Sequence, residues 1–208
     1  MATALRFRTR NPKCCSRSRG VGLVLVVAAC SSGSPAPEVI TPPSPEKQVL
    51  QAGKGDVPLT AGTYYSPVGF VPPLAITVPG GWSSTHRGDD AFDIGKDGVI
   101  VVFDTPQGDA VAPVLKALKA KAPHATAVTG TLDGEPATGF DATGGTGEIV
   151  ASPSGTLSLD YTAGQRVRVL GTDVDGVPLL AVVLVPDGRQ WATRLPEAQA
   201  LLAGVSPG

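Results

Sequence analysis

Few residues in this 208-residue chain carry the side chains that catalysis or metal binding needs. Histidine occurs only at His86 and His124, and cysteine only at Cys14, Cys15 and Cys30. A nucleophilic hydroxyl or thiol needs a base beside it and an acid to orient that base. No Gly-x-Ser-x-Gly elbow is present. His86 stands in the polar run Ser83-Ser84-Thr85-His86-Arg87, and His124 follows Pro123 just past a helical pattern. Both read as solvated loop residues. Zinc takes three or four His, Cys, Asp or Glu ligands at usable spacing, which two dispersed imidazoles do not provide. Asp173-Val174-Asp175-Gly176 begins like a calcium loop. Counted from Asp173, however, the sixth residue is Pro178 and the twelfth is Leu184, where Gly and Glu are required. It reads as a hairpin turn. Asp89, Asp90, Asp93 and Asp97 form an acidic loop without a metal motif's spacing. Gly144-Gly145-Thr146-Gly147 lacks the Lys of a phosphate-binding loop. Trp82 and Trp191 read as core anchors rather than as a sugar-stacking platform. The expectation is no catalytic residue, no metal ligand, no cofactor and no enzymatic activity.

Cys30 is the one thiol in a chemically suggestive setting. It closes Val27-Ala28-Ala29-Cys30, directly after the apolar run from Val21 and directly before Ser31-Ser32-Gly33. Arg6, Arg8, Arg10, Lys13, Arg17 and Arg19 precede that run, and the first acid is Glu38. Positive charge, a short apolar stretch and a small-residue cleavage site are the parts of a secretory signal. The apolar run is about half the roughly 20 residues a spanning helix needs. The arrangement resembles the lipobox of bacterial lipoproteins. That resemblance implies removal of residues 1–29 and attachment of diacylglycerol to the Cys30 sulfur. Cys14 and Cys15 would leave with the signal, so no disulfide is expected in the mature domain. Two acyl chains give stable anchoring where one is marginal. The implied location is the outer face of the cytoplasmic membrane, with the membrane itself as a partner through lipidated Cys30.

Cleavage would leave 179 residues. Six of the 17 basic residues lie in the leader, so 11 remain against 18 acids and the formal charge becomes −7. An acidic surface without a basic cluster argues against nucleic acid. The richness in Ala, Val, Gly and Pro suggests a high-GC, actinobacterial source.

Three segments follow: 1–29 as signal peptide, 30–60 as a Pro/Ser-rich disordered linker, and 61–208 as a single globular domain. Pro35, Pro37, Pro42, Pro43 and Pro45 favour extended polyproline II in the linker. Leu74–Val78 reads as a strand turned by Pro79-Gly80-Gly81 onto Trp82. Val99–Phe103 is β-branched and apolar throughout, which suits a central strand. Asp109 is a candidate N-cap for a helix with Val111, Val114, Leu115, Leu118 and Ala122 on one face. Pro113 falls in its first turn and Pro123 stops it. Hairpins are expected about Asp133-Gly134, Pro153-Ser154-Gly155 and Asp173–Gly176. Leu179–Val185 should be central. A final helix is expected to begin at Pro196 and to dock through Leu201, Leu202 and Val205. The sum is an α+β protein, an antiparallel β-sheet with one long helix and a C-terminal helix packed on it.

Gly62-Thr63-Tyr64, Val78-Pro79-Gly80-Gly81-Trp82, Leu132-Asp133-Gly134 and Val174-Asp175-Gly176 resemble turns of actinobacterial lipoproteins of unassigned function. More distantly, the chain resembles the Mog1/PsbP-like α/β sandwich of mycobacterial lipoproteins. The resemblance spans roughly residues 62–206 and implies a fold and an extracytoplasmic address, with no catalytic residues. The resulting expectation is a non-catalytic binding or accessory module of the cell envelope, whose partner is an envelope protein or an apolar ligand. The alternatives are a carrier of lipid or another apolar ligand, and a cryptic hydrolase.

Overall fold

Three Asp-Gly pairs set the frame of the molecule. Asp97-Gly98, Asp133-Gly134 and Asp175-Gly176 all adopt positive φ at both residues (49° and 85°, 56° and 78°, 51° and 79°). Positive φ at both central residues defines the type I′ turn, whose twist matches paired strands. Each pair joins two strands with no other loop residue: Lys96 opposes Val99, Leu132 opposes Glu135, and Val174 opposes Val177.

The computed structural model describes residues 47–50, 56–86, 91–106, 108, 110–122, 124–143, 147–150, 158–161 and 163–208. Cys14, Cys15, Cys30, the Pro-rich stretch, Asp89, Asp90, Asp109, Pro123, Gly144–Thr146 and Pro153–Gly155 lie outside the described residues. The elements are β1 (Gln48–Val49), β2 (Val57–Leu59), β3 (Gly62–Tyr65), β4 (Leu74–Val78), β5 (Trp82–His86), β6 (Ala91–Lys96), β7 (Val99–Asp104), α1 (Val111–Lys121), β8 (Thr126–Leu132), β9 (Glu135–Thr143), β10 (Gly147–Val150), β11 (Ser158–Tyr161), β12 (Arg166–Val174), β13 (Val177–Val185), a 3-10 turn (Gly188–Gln190), α2 (Trp191–Ala203) and β14 (Val205–Pro207).

Eight strands form one antiparallel sheet in the order β2-β5-β6-β7-β13-β12-β9-β8. β7 and β13 lie inside it, as the apolar runs Val99–Phe103 and Leu179–Val185 demand, because both faces there are covered. One face buries Val102, Val169, Leu180 and Val182 against Val111, Leu115 and Leu118 of α1. Gly171 makes this approach possible: a Cβ there would stand 2.6 Å from Val111 Cγ2 and 2.8 Å from Leu180 Cδ2. The other face buries Ile94, Phe103, Leu179 and Val183 against Leu201 and Leu202 of α2 and against Leu74, Ile76 and Val78 of a second sheet. That sheet has the order β1-β3-β4-β14 and includes one parallel pair, β1 with β3. The α+β class is as expected: a mostly antiparallel sheet with two helices packed on it.

Several boundaries differ from the sequence reading. The fold begins before residue 61: Leu50 and Leu59 are buried in the core, and β2 pairs with β5. Apolar residues isolated among polar ones give no periodic signal, so only the core they reach reveals them. α1 has Ala110 at its N-cap with no side-chain cap; the carboxylate of Asp173 on β12 accepts the Val111 N–H instead. α2 begins at Trp191, with Pro196 inside it rather than at its start. Pro196 forgoes one N–H bond, while burial of Trp191 and stacking of Arg166 at 4.7 Å and Arg168 at 5.9 Å hold the first turn. Val205 is not helical. It opens β14, opposite Ile76 of β4.

Candidate functional site

α1 covers β12 and β13 and reaches β10. The sheet face it packs on continues past β7 to β6, β5 and β2, and there the residues change character. Register places Asp93 beside Val102, Gly95 beside Ile100, Thr85 beside Asp93 and Ser83 beside Gly95. An apolar face thus becomes one of carboxylates, hydroxyls and glycine within one strand spacing. The result is a groove of about 430 Å³ bordered by Asp56, Ser83, Thr85, Asp93, Gly95 and Ile100, with the Asp97-Gly98 turn at its rim.

The hydroxyls of the groove have defined anchors. Thr85 Oγ1 donates to Asp56 Oδ1 at 2.8 Å, tying the residue before β2 to β5. Ser83 Oγ donates to the Gly95 carbonyl at 3.4 Å. Asp93 is 6% exposed, deeply set in β6. Gly95 keeps the floor low, since a Cβ there would come within 3.3 Å of the Val99 carbonyl. At the rim, Arg194 reaches Asp97 at 3.3 Å. The Lys96 ammonium lies 4.0 Å from Glu197 and 6.0 Å from the Trp82 ring, drawn toward α2. Carboxylate therefore dominates the groove interior. Such a surface accepts hydrogen bonds from hydroxyl or amine donors and favours positive charge. Its volume falls within the roughly 300–1,000 Å³ of small-molecule sites, but its lining is polar.

The residues singled out in the sequence scatter. Asp93 is not in a loop but on β6, and Asp97 occupies a hairpin turn. Strand β6 interleaves apolar residues with Asp93 and Gly95, which disguised it as an acidic loop. His86 is likewise the last residue of β5 rather than a loop residue, and its side chain is outside the described set. His124 does lie in a connection, exposed, with φ 54°. Ser83 and Ser84 point to opposite faces of β5, as neighbours on a strand must. Ser84 is buried with no hydrogen-bond partner for its Oγ. Trp82 and Trp191 are both buried in the core. Asp173-Val174-Asp175-Gly176 is the end of a hairpin. Among the described residues no group of three or more His, Cys, Asp or Glu is arranged to hold a metal ion. Asp56 and Thr85 were missed, because 29 residues separate them in sequence and only the β2–β5 pairing joins them.

A second polar constellation lies on the opposite face. Arg168 Nε and Nη2 donate to Asp141 Oδ1 and Oδ2 at 2.7 and 2.8 Å, across the β12–β9 pair. The two side chains are 12% and 15% exposed, and the Trp191 ring covers the guanidinium. Its ligands are all internal, so its work is structural.

No family model matches the chain, and no curated protein matches it. Similar solved structures include a crystal structure from Bacteroides thetaiotaomicron VPI-5482, with 12% identity and a TM-score of 0.41. That match covers 65% of this chain and 45% of the Bacteroides chain, less than half the latter's length. They also include the cyanobacterial PsbP (CyanoP) of Synechocystis sp. PCC 6803, with 12% identity and a TM-score of 0.37, covering 65% of this chain and 86% of that one.

Proposed function

We propose that this chain is an actinobacterial lipoprotein held by lipidated Cys30 on the outer face of the cytoplasmic membrane, and that its Mog1/PsbP-like α/β sandwich is a non-catalytic binding module. The observation that carries the binding role is the carboxylate-lined groove between Asp56 and Asp93. Its polar lining favours a ligand rich in hydroxyl or amine donors over an apolar one. The direct seating of α1 on Gly171 also weighs against an apolar carrier at that point. A hydrolase gains no support from β5, since Ser83 is hydrogen-bonded to a backbone carbonyl and Ser84 faces the other way. The anchor rests on Val27-Ala28-Ala29-Cys30 and the basic, apolar leader before it.

Two measurements test the two halves separately. Cells expressing the full chain are labelled with palmitate: label on the wild type and none on Cys30→Ala is expected, and unlabelled wild type would refute the anchor. Thermal shift against small amines, polyols and sugars is then run on wild type and on Asp56→Ala. A stabilising ligand lost in the variant supports the groove. No ligand at millimolar concentration, or one indifferent to Asp56, refutes it.

A further inference from the structure

The two ends of the eight-stranded sheet are built differently. One edge is β2, three residues long with Pro58 at its centre. The smaller sheet is bounded by a two-residue β1 and by β14, which ends in Pro207. Shortness and proline are ordinary devices that keep edges from pairing with other chains. The edge formed by β8 has neither. It runs seven residues, Thr126-Ala127-Val128-Thr129-Gly130-Thr131-Leu132, with no proline and no charge. Among the described residues β9 is its one strand neighbour, and most of its side chains are exposed. A long neutral strand with one row of backbone donors and acceptors turned outward is a template for another strand.

The charges at its two ends say which strand. β8 is entered from the lysine-bearing end of α1, with Lys119 and Lys121, through His124. It leaves into the turn that carries the exposed Glu135, with the exposed Asp175 in the neighbouring hairpin turn between β12 and β13. Two copies paired antiparallel about Thr129 would set the basic end of each beside the acidic turn of the other. Parallel pairing would set like against like. The same register opposes Val128 to Gly130, Ala127 to Thr131 and Thr129 to itself, so large meets small and hydroxyl meets hydroxyl, as favourable cross-strand pairs do. We propose that β8 is the interface of a two-fold symmetric dimer of this chain, formed by antiparallel β8–β8 pairing centred on Thr129, which extends the sheet through both copies. Such a contact is isologous and closed. Seven residues of edge make a small interface, so the dimer is concentration-dependent.

The test uses the full chain in detergent. Sedimentation equilibrium is expected to show a monomer–dimer equilibrium. Thr129→Lys, which opposes two ammonium groups at the two-fold, should weaken dimerisation about tenfold or more. Thr129→Val should leave it in place. Retained thermal unfolding in both variants shows that the fold is intact. Covalent trapping gives a second readout, in chains whose Cys14, Cys15 and Cys30 are replaced by Ser. Thr129→Cys should form a disulfide dimer under mild oxidation. Thr138→Cys, one strand inward and opposite Thr129, should not, because its mate lies beyond disulfide reach. A chain that stays monomeric throughout, a dimer indifferent to Thr129→Lys, or equal trapping at 129 and 138 would overturn the proposal. A monomer that captures a foreign extended peptide at β8 would overturn it as well.

Discussion

Asp173 Oδ1 accepts the backbone N–H of Val111 at 2.8 Å, so the end of β12 caps the first turn of α1. The four leading N–H groups of a helix lack partners within it, and negative charge near them is favoured. Here the cap comes from 62 residues away. Asp173→Ala should lower stability by about 1 kcal/mol, the typical worth of a side-chain cap. Asp173→Asn, which retains an acceptor but not the charge, should cost less. Urea unfolding of the three proteins decides it, and equal midpoints would refute the cap's contribution.

The Arg168–Asp141 pair should be costly to break and cheap to replace. Removing Asp141 strands the Arg168 guanidinium beside the Trp191 ring, and broken buried pairs typically lose about 3–5 kcal/mol. Asp141→Ala is expected near the lower end, since both side chains keep some exposure. The double change Asp141→Leu with Arg168→Met should recover much of that loss. A double-mutant cycle from chemical denaturation gives the coupling directly.

Gly171 tests how tightly α1 sits on the sheet. The methyl of Gly171→Ala would overlap Val111 and Leu180. Overpacking of this kind costs about 1–3 kcal/mol. Val111→Ala in the same chain should relieve part of it, because the nearest clash is with Val111 Cγ2. Additive losses would mean that the helix already has room to move.

Asp133 predicts a pH effect. Burial is the main cause that raises its carboxyl above its ordinary value, and the charges of Glu135 and Asp175 raise it further. The residue is 4% exposed and its Oδ1 lacks a hydrogen-bond partner. The folded state therefore holds this proton more tightly than the unfolded chain does. Its contribution to stability is complete below the unfolded value and is lost as pH rises through the folded one. Asp133→Asn removes the charge and suits a type I′ turn. It should stabilise the protein at pH 7 by about 1 kcal/mol, and the gain should shrink toward pH 4. Melting temperatures across that range settle the sign.

Much of the architecture was legible locally. The turns at Asp133-Gly134 and Asp175-Gly176, the apolar runs Val99–Phe103 and Leu179–Val185, and the one-sided pattern of α1 each depend on neighbouring residues, whereas the Asp97-Gly98 turn was hidden by the acidic residues before it. Turn type, strand burial and helix periodicity are set at short range. α2 was legible only in part, because Pro196 is an obvious local signal for a helix start. The packing of Trp191 on two arginines from β12 overrides it, and that packing is not a local property.

The sequence by itself determined the continuous apolar runs that suit strands buried on both faces and the Asp133-Gly134 and Asp175-Gly176 turns that fix two of the hairpins. The tertiary structure alone decided which polar residues meet. Asp56 and Thr85 touch because β2 lies beside β5, and Asp173 caps a helix that its own strand does not adjoin in sequence. The early start of the fold at Leu50 and the return of Val205 to β4 were settled there too. The physical reason is one of range. Backbone preference and periodicity act over a few residues and can be read in order along the chain, whereas side-chain pairing depends on the strand register that only the assembled sheet supplies.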